Sequence, residues 1–257
     1  MNKNEFSERF DTLYNNITSN QAPGLNNYEI SVFLTKAQDE IVKNYFNPKS
    51  NKLQEGFDGN RKRQIDFSAI THVYDTDAFN DPMFDSRPWN KSIQLPDKVW
   101  FIINERLVVT RSTGQETLTV LPITFEEYDR LMSKPYKRPL KYQAWRILNN
   151  EHHPRGSTNH ADLIVGPGDT LDAYMLRYIS QPSPIIVGDL DGLTINNCYL
   201  KGGTVVADAE AVDGECVLDE MLHEEILQRA VELAKVAWTS TGQDNTQAVL
   251  QAGQRSE

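Results

Sequence analysis

Apolar positions along the chain follow two periods. In the first 46 residues they return every three or four positions. Phe6, Phe10, Leu13, Tyr14 and Ile17 fall on one face of a helix in NKNEFSERFDTLYNNI, and QAPGLNN breaks it. A second helix is predicted over NYEISVFLTKAQDEIVKNYF. Asn26 stands three residues before Glu29, as in a capping box, and Pro48 closes the helix. Its stripe is Ile30, Phe33, Leu34, Ala37, Ile41 and Tyr45. Two helices and a short loop predict an αα-hairpin.

From Ser92 the period drops to two, and β-branched and aromatic residues dominate. KSIQLP, VWFIINERLVVT and ETLTVLPI read as strands, with STGQ as a turn. TFEEYDRLMSKP is a short helix capped by Thr124, with Glu126 and Glu127 complementing its dipole. QAWRIL, ADLIV and LDAYMLRYI are further strands, separated by HHPRGSTNH and GPGD; LTINNCYL and GTVVADAEAV are weaker ones. Residues 50–91 are polar and irregular, loops with room for one short strand. At Asp219 the helical period returns, with Leu222, Ile226, Ala230, Leu233, Ala234 and Ala237 as its stripe. The closing STGQDNTQAVLQAGQRSE is polar and low in aromatics, an arm or tail.

The fold class expected is α+β: a helical bundle built from the N- and C-terminal helices, with an inserted β-rich region and an extended C-terminal arm. The spans are an N-terminal helical hairpin over 1–50, a β-rich insert with loops over 51–218, a helix over 219–239 that packs on the N-terminal helices, and the arm over 240–257. Phe33, Ala37 and Ile41 are expected to meet Ile226, Ala230 and Ala234, the alanines allowing close backbone approach.

One stretch breaks the pattern. In YMLRYISQPSPIIV a good strand runs into Pro182 and Pro184, after which an apolar run resumes at Ile185. Proline has no N–H for a ladder. The two prolines are read as ending the pairing at a limited sheet edge and turning the chain away, with Ile185–Val187 as a packing segment; a plain loop-to-strand transition fits as well.

Composition narrows the function. The chain has 257 residues and a net charge of −10, which argues against a reader of duplex DNA that would need a basic face. Eleven Asp or Glu and only three Lys or Arg fall in residues 208–257. Two cysteines, Cys198 and Cys216, make no disulfide framework. No apolar run is long enough to span a bilayer, and no basic-then-apolar signal opens the chain; a soluble protein made in the cytosol is expected.

Candidate chemistry is sparse. Glu151, His152, His153, His160 and Asp162 could in principle collect a metal, as in a metal-dependent hydrolase, but adjacent loop histidines diverge and no His-Glu-x-x-His helix exists. Asp189 and Asp191 in GDLDG lack the further oxygens of a calcium loop. GPGD carries no phosphate-loop lysine, and no nucleophile elbow is present. The Arg61-Lys62-Arg63 cluster could touch phosphates or an acidic neighbour, against a solvated loop. Trp89, Trp100 and Trp145 raise a glycan-binding module as another reading. The most informative feature is acidic: Asp208, Glu210, Asp213, Glu215, Asp219, Glu220, Glu224 and Glu225 have no intervening Lys or Arg. Two of them complement a helix start. The others repel one another unless they are solvated, paired with another chain, or keep a polyanion away.

The helix NYEISVFLTKAQDEIVKNYF with its Ala37-Gln38-Asp39-Glu40 centre, ITFEEYDRLMSKPYKRP, YMLRYISQPSPI and EILQRAVELAKVAW together resemble the head–tail connector (ring or adaptor) proteins of tailed bacteriophages, most closely those of crAss-like phages. The resemblance spans about residues 25–239. It implies a virion protein of the neck, made in the host bacterial cytoplasm, with no catalytic site and no cofactor. Copies form a homo-oligomeric ring, usually of twelve, beneath the portal and beside other neck and tail rings. DNA passes through the hole without specific binding, and no membrane is engaged. Asp208, Glu210, Asp213 and Glu215 would then face the channel. Pro182 and Pro184 would serve a subunit contact, and the segment holding Gln243, Asn245, Val249 and Leu250 would reach the portal.

Overall fold

A computed structural model of the chain describes residues 1–17, 24–46, 61–82, 84–149 and 160–239. The fold is mixed α+β, and the chain divides into two compact units. One is made from residues 1–70 and 181–257; the other is Thr71–Ser180, inserted between them.

The first unit holds α1 (Lys3–Ile17), α2 (Asn27–Phe46), the short α3 (Arg61–Asp66) and α5 (Glu220–Thr239). Asn26 caps α2: Glu29 N–H donates to its side chain at 2.8 Å, and Asn26 N–H donates to the Glu29 carboxylate at 2.9 Å. α5 lies against both α1 and α2. Phe6 and Phe10 of α1 are fully buried, and the Phe6 ring sits 5.4 Å from that of His223 on α5. On α2, Ala37 and Ile41 are buried and Phe33 is half-buried; on α5, Ile226, Ala230 and Ala234 are buried. The α5 stripe departs from its simple reading at one end. Ala237 is exposed, while Leu227 and Val231 are buried, so the covered face is broader than one stripe. Glu40 of α2 pairs with Arg229 of α5 at 2.8 Å.

The second unit is a seven-stranded sheet in the order β1-β7-β3-β4-β5-β6-β2. Its strands are β1 (Thr71–Thr76), β2 (Lys91–Gln94), β3 (Val99–Arg111), β4 (Gly114–Pro122), β5 (Gln143–Asn149), β6 (His160–Ile164) and β7 (Thr170–Ser180). Neighbours are antiparallel except β4 and β5, which run parallel because α4 (Phe125–Met132) carries the chain between them. Thr124 and Glu127 complete a capping box on α4. Register shifts in the β3–β7 pairing bend the long β3. One face of the sheet buries Ile93, Leu107, Val109, Leu118, Ala144, Leu163, Tyr174 and Leu176. The other carries Trp145, Ile147 and Ile164 against Tyr128 of α4.

β7 is an interior strand with β1 on one side and β3 on the other, so the prolines after it do not mark a sheet edge. The edges are β1 and β2. The apolar pattern does not reveal β1, because THVYDT places His and Asp among its few apolar residues and its burial does not alternate. Arg61-Lys62-Arg63 opens the short helix α3 rather than lying in a loop. Of the two weaker strand readings, only three residues each are extended, as the parallel pair β8 (Cys198–Leu200) and β9 (Glu210–Val212) of the first unit.

Candidate functional site

The prolines stand where the chain leaves the inserted unit, and the segment after them accounts for their presence. Residues 183–187 run along α2, and three buried polar side chains of that helix serve their backbone. Gln38 donates from Nε2 to the Ser183 carbonyl at 2.9 Å. Thr35 Oγ1 accepts from Ile185 N–H at 3.2 Å and lies 3.4 Å from the Ile185 carbonyl. Ser31 Oγ accepts from Val187 N–H at 3.1 Å. Ser31, Thr35 and Gln38 are all nearly inaccessible, spaced four and three apart on one helical face. On the opposite side of the segment, Ile186 N–H donates to the Gly214 carbonyl at 3.0 Å. Gly214 has φ +75°, and a Cβ there would collide with the Ile186 carbonyl oxygen. A segment hydrogen-bonded to side chains needs no ladder partner at 182 and 184, so proline is tolerated there. Both prolines are buried. In the sequence alone, Ser31, Thr35 and Gln38 read as a polar face of α2; their spacing is the one signal that could have found them.

The acidic residues are spread over several supports. Asp208 sits in a turn with φ +62°, Glu210 opens β9, and Asp213 and Glu215 follow it. All four are exposed. Lys201 approaches Asp213 at 3.8 Å with both groups in solvent, a contact of little energetic consequence. Met221 N–H donates to the Asp219 carboxylate at 2.9 Å, which occupies that acid as the cap of α5.

The other candidates are accounted for by structure. Asp189 takes the backbone N–H of Thr204 at 3.2 Å and its hydroxyl at 3.0 Å, and these bonds hold its carboxyl below the usual range. Asp191 and Gly192 form the positive-φ turn beside it. GPGD is the β6–β7 turn, and its Asp169 receives both Nε and Nη2 of Arg111, at 2.5 and 2.6 Å. Glu116 holds the third arm of that guanidinium at 2.5 Å, and the surrounding carboxylates push the arginine still further toward its charged form. Glu151, His152 and His153 lie outside the described residues, as do Gln243, Asn245, Val249 and Leu250. His160 opens β6, and the Asp162 carboxylate accepts from Phe84 N–H at 2.7 Å. Among the described residues no group of His, Cys, Asp and Glu is placed to hold a metal, and no helix is long and apolar enough to cross a membrane. Trp145 is buried in the sheet, Trp89 packs on the core, and Trp100 lines an open cleft of about 410 Å³ beside Phe101 and Leu148, so the three do not form one exposed aromatic face.

One buried polar network was not foreseen. Glu105 of β3 accepts from the Tyr174 hydroxyl at 2.5 Å and pairs with Arg146 of β5 at 3.1 Å, both charged groups being almost wholly buried. Burial raises the Glu105 carboxyl, against the pull of Arg146 and then Tyr174. It ties β3, β5 and β7 through their side chains, and Arg146 also lines the cleft beside Trp100. Its arrangement is that of a structural ion pair.

No described cluster has the geometry of a catalytic centre; what recurs is charge and polarity used to hold one segment against another. The chain belongs to the phage tail ring protein 3/4 family, whose sequence profile matches residues 1–246. Among individual proteins, ring protein 4/5 of Bacteroides phage crAss001 is 45% identical over 262 aligned positions that cover all of both chains. Ring protein 3 of the same phage is 28% identical over 245 positions, 93% of this chain and 97% of that one.

Proposed function

We propose that this chain is a non-enzymatic structural subunit of a ring in the neck of a phage virion, where it helps join portal to tail and forms part of the DNA channel. The observation that carries this reading is membership of the ring protein family along nearly the whole chain, with a full-length relative named as a ring protein. The finer parts are proposals of the same reading: a closed ring of about twelve copies, stacking on portal and on other ring proteins, and a body made by the helices at the two ends of the chain. The exposed acids Asp208, Glu210, Asp213 and Glu215 suit a wall that repels DNA phosphates during transit. Pro182 and Pro184, being buried, would act on a subunit contact by directing the chain rather than by touching a neighbour. The segment containing Gln243, Asn245, Val249 and Leu250 is assigned to the portal.

The test of portal joining is co-sedimentation of the purified protein with its portal, beside a version lacking residues 241–257. The full chain should sediment with the portal, and the truncated protein should remain folded but stay in the supernatant. A full chain that ignores the portal would contradict the neck assignment; normal binding by the truncated protein would contradict only the role of the tail.

A further inference from the structure

Between α4 and β5 the chain reads SKPYKRPLKY, residues 133–142, with four basic residues and no acid in a protein of net charge −10. Its apolar side chains are displayed rather than packed: Tyr136 is 95% exposed, Tyr142 62% and Leu140 61%. Lys134, Lys137 and Arg138 are exposed and have no ion-pair partner among the described residues. Lys141 alone is engaged, 3.5 Å from Glu116. The backbone beneath is held. Lys137 N–H donates to the Lys134 carbonyl at 2.9 Å, Gln143 N–H to Leu140 at 3.0 Å, and Thr119 N–H to Tyr142 at 3.1 Å. Pro135 and Pro139 stiffen it further. A pre-ordered loop that exposes tyrosine and arginine together carries residue types enriched at interfaces and loses little entropy on docking.

The first unit carries the complementary surface. At the start of α5 Met221 is 70% exposed, and just before the helix Val217 is 39% exposed. Met221 and Glu224 are three apart, and Glu220 and Glu224 four apart, on α5; Glu220 is exposed and without an ion pair among the described residues, and Val217 lies in the segment that leads into the helix. Among the described residues Glu224 pairs with Arg9, at 3.4 Å and half in solvent, a pair that a partner could displace.

We propose that the 133–142 loop of one copy docks on this acidic, apolar face of α5 in the next copy, forming a head-to-tail contact of the ring. The inference rests on the ring reading. Closed heterologous assembly requires two different, mutually complementary patches on every copy. Copies that each carry −10 repel one another unless opposite charges meet locally. Duplex DNA would satisfy the cations but leave Leu140 and Met221 without apolar partners. None of the acids assigned to the channel wall, Asp208, Glu210, Asp213 and Glu215, is among the residues of this face.

Two charge-reversed full-length proteins test it: Lys137→Glu with Arg138→Glu in the loop, and Glu220→Lys with Glu224→Lys on α5. Unchanged circular dichroism and melting temperature establish that each folds. Particle mass is then measured for wild type, each variant, and their equimolar mixture. The wild type should assemble. Each variant alone should lose assembly by roughly a hundredfold in the concentration required, since it sets like charges against each other. The mixture should recover it, because a reversed loop then meets a reversed α5. Wild-type rings with both variants assembling normally would overturn the docking assignment and leave the ring reading standing. Loss in both variants with no recovery on mixing would overturn it as well. Intact variant rings whose salt-sensitive retention of duplex DNA falls with the loop reversal would assign the loop to DNA instead. A wild type that never assembles, alone or with its portal, would overturn the ring reading and this contact with it.

Discussion

Thr35 shows how much a single buried hydroxyl can hold in this chain. It is buried on α2 and meets both backbone groups of Ile185. Thr35→Val keeps the shape and leaves a buried N–H and carbonyl without partners, at a cost of about 1–3 kcal/mol. Thr35→Ser should lose much less. Urea midpoints of the three proteins decide it; equal midpoints for Val and wild type would mean that the segment after the prolines is held by packing alone. Asp39, on the same helix, gives a pH-dependent prediction. Burial pushes its carboxyl up to about 6, with Lys43 opposing, and its Oδ1 has no hydrogen-bond partner among the described residues. The folded protein therefore holds this proton where the unfolded chain has released it. The stability that this contributes is complete below about pH 4 and is lost as pH rises through about 6. Asp39→Asn does not titrate. Its stability relative to wild type should be flat below pH 4, then increase to an advantage of roughly 1–3 kcal/mol by pH 7. A difference that stays constant with pH would place the Asp39 carboxylate in solvent.

At the scale of elements, the α2–α5 contact is the one whose loss should be felt most. Ile226 is fully buried on α5, and Ile226→Ala should cost roughly 2–5 kcal/mol, as core truncations do. That is a large share of a typical domain's stability. Thermal or urea unfolding measures it, and a loss under 1 kcal/mol would mean that the side chain is poorly packed. The helices were legible in sequence because their signals are local. Asn26 with Glu29 and Thr124 with Glu127 mark starts that the structure confirms, and α2 spans the predicted residues. Most long strands were legible for the same reason. β1 was not, since it is extended through its pairing with β7 and not through its own composition. The polar stripe Ser31, Thr35 and Gln38 was opaque because a helix face reads as solvated unless the segment it bonds is known, and that segment lies about 150 residues away. The Glu105–Arg146–Tyr174 network was hidden likewise, since each member alone reads as an ordinary strand residue.

For the whole molecule, the unequal distribution of charge matters more than its sum. If Asp208, Glu210, Asp213 and Glu215 line the channel, replacing all four with Lys should leave ring formation intact and create salt-sensitive retention of DNA. Filter binding at low and high salt would register it, and assembled variant rings that bind no more DNA than wild type would take these acids off the channel wall. Nothing in a single sequence states how copies meet; the ring assignment comes from the family, and the architecture supplies surfaces on which it can be checked. The most direct check is the mass and rotational symmetry of particles formed by the purified full-length protein, alone and mixed with its portal, by native mass spectrometry and electron microscopy. Closed rings of one copy number, near twelve, with an open centre are the predicted result; a protein that stays monomeric under both conditions, or forms open-ended filaments, would contradict it.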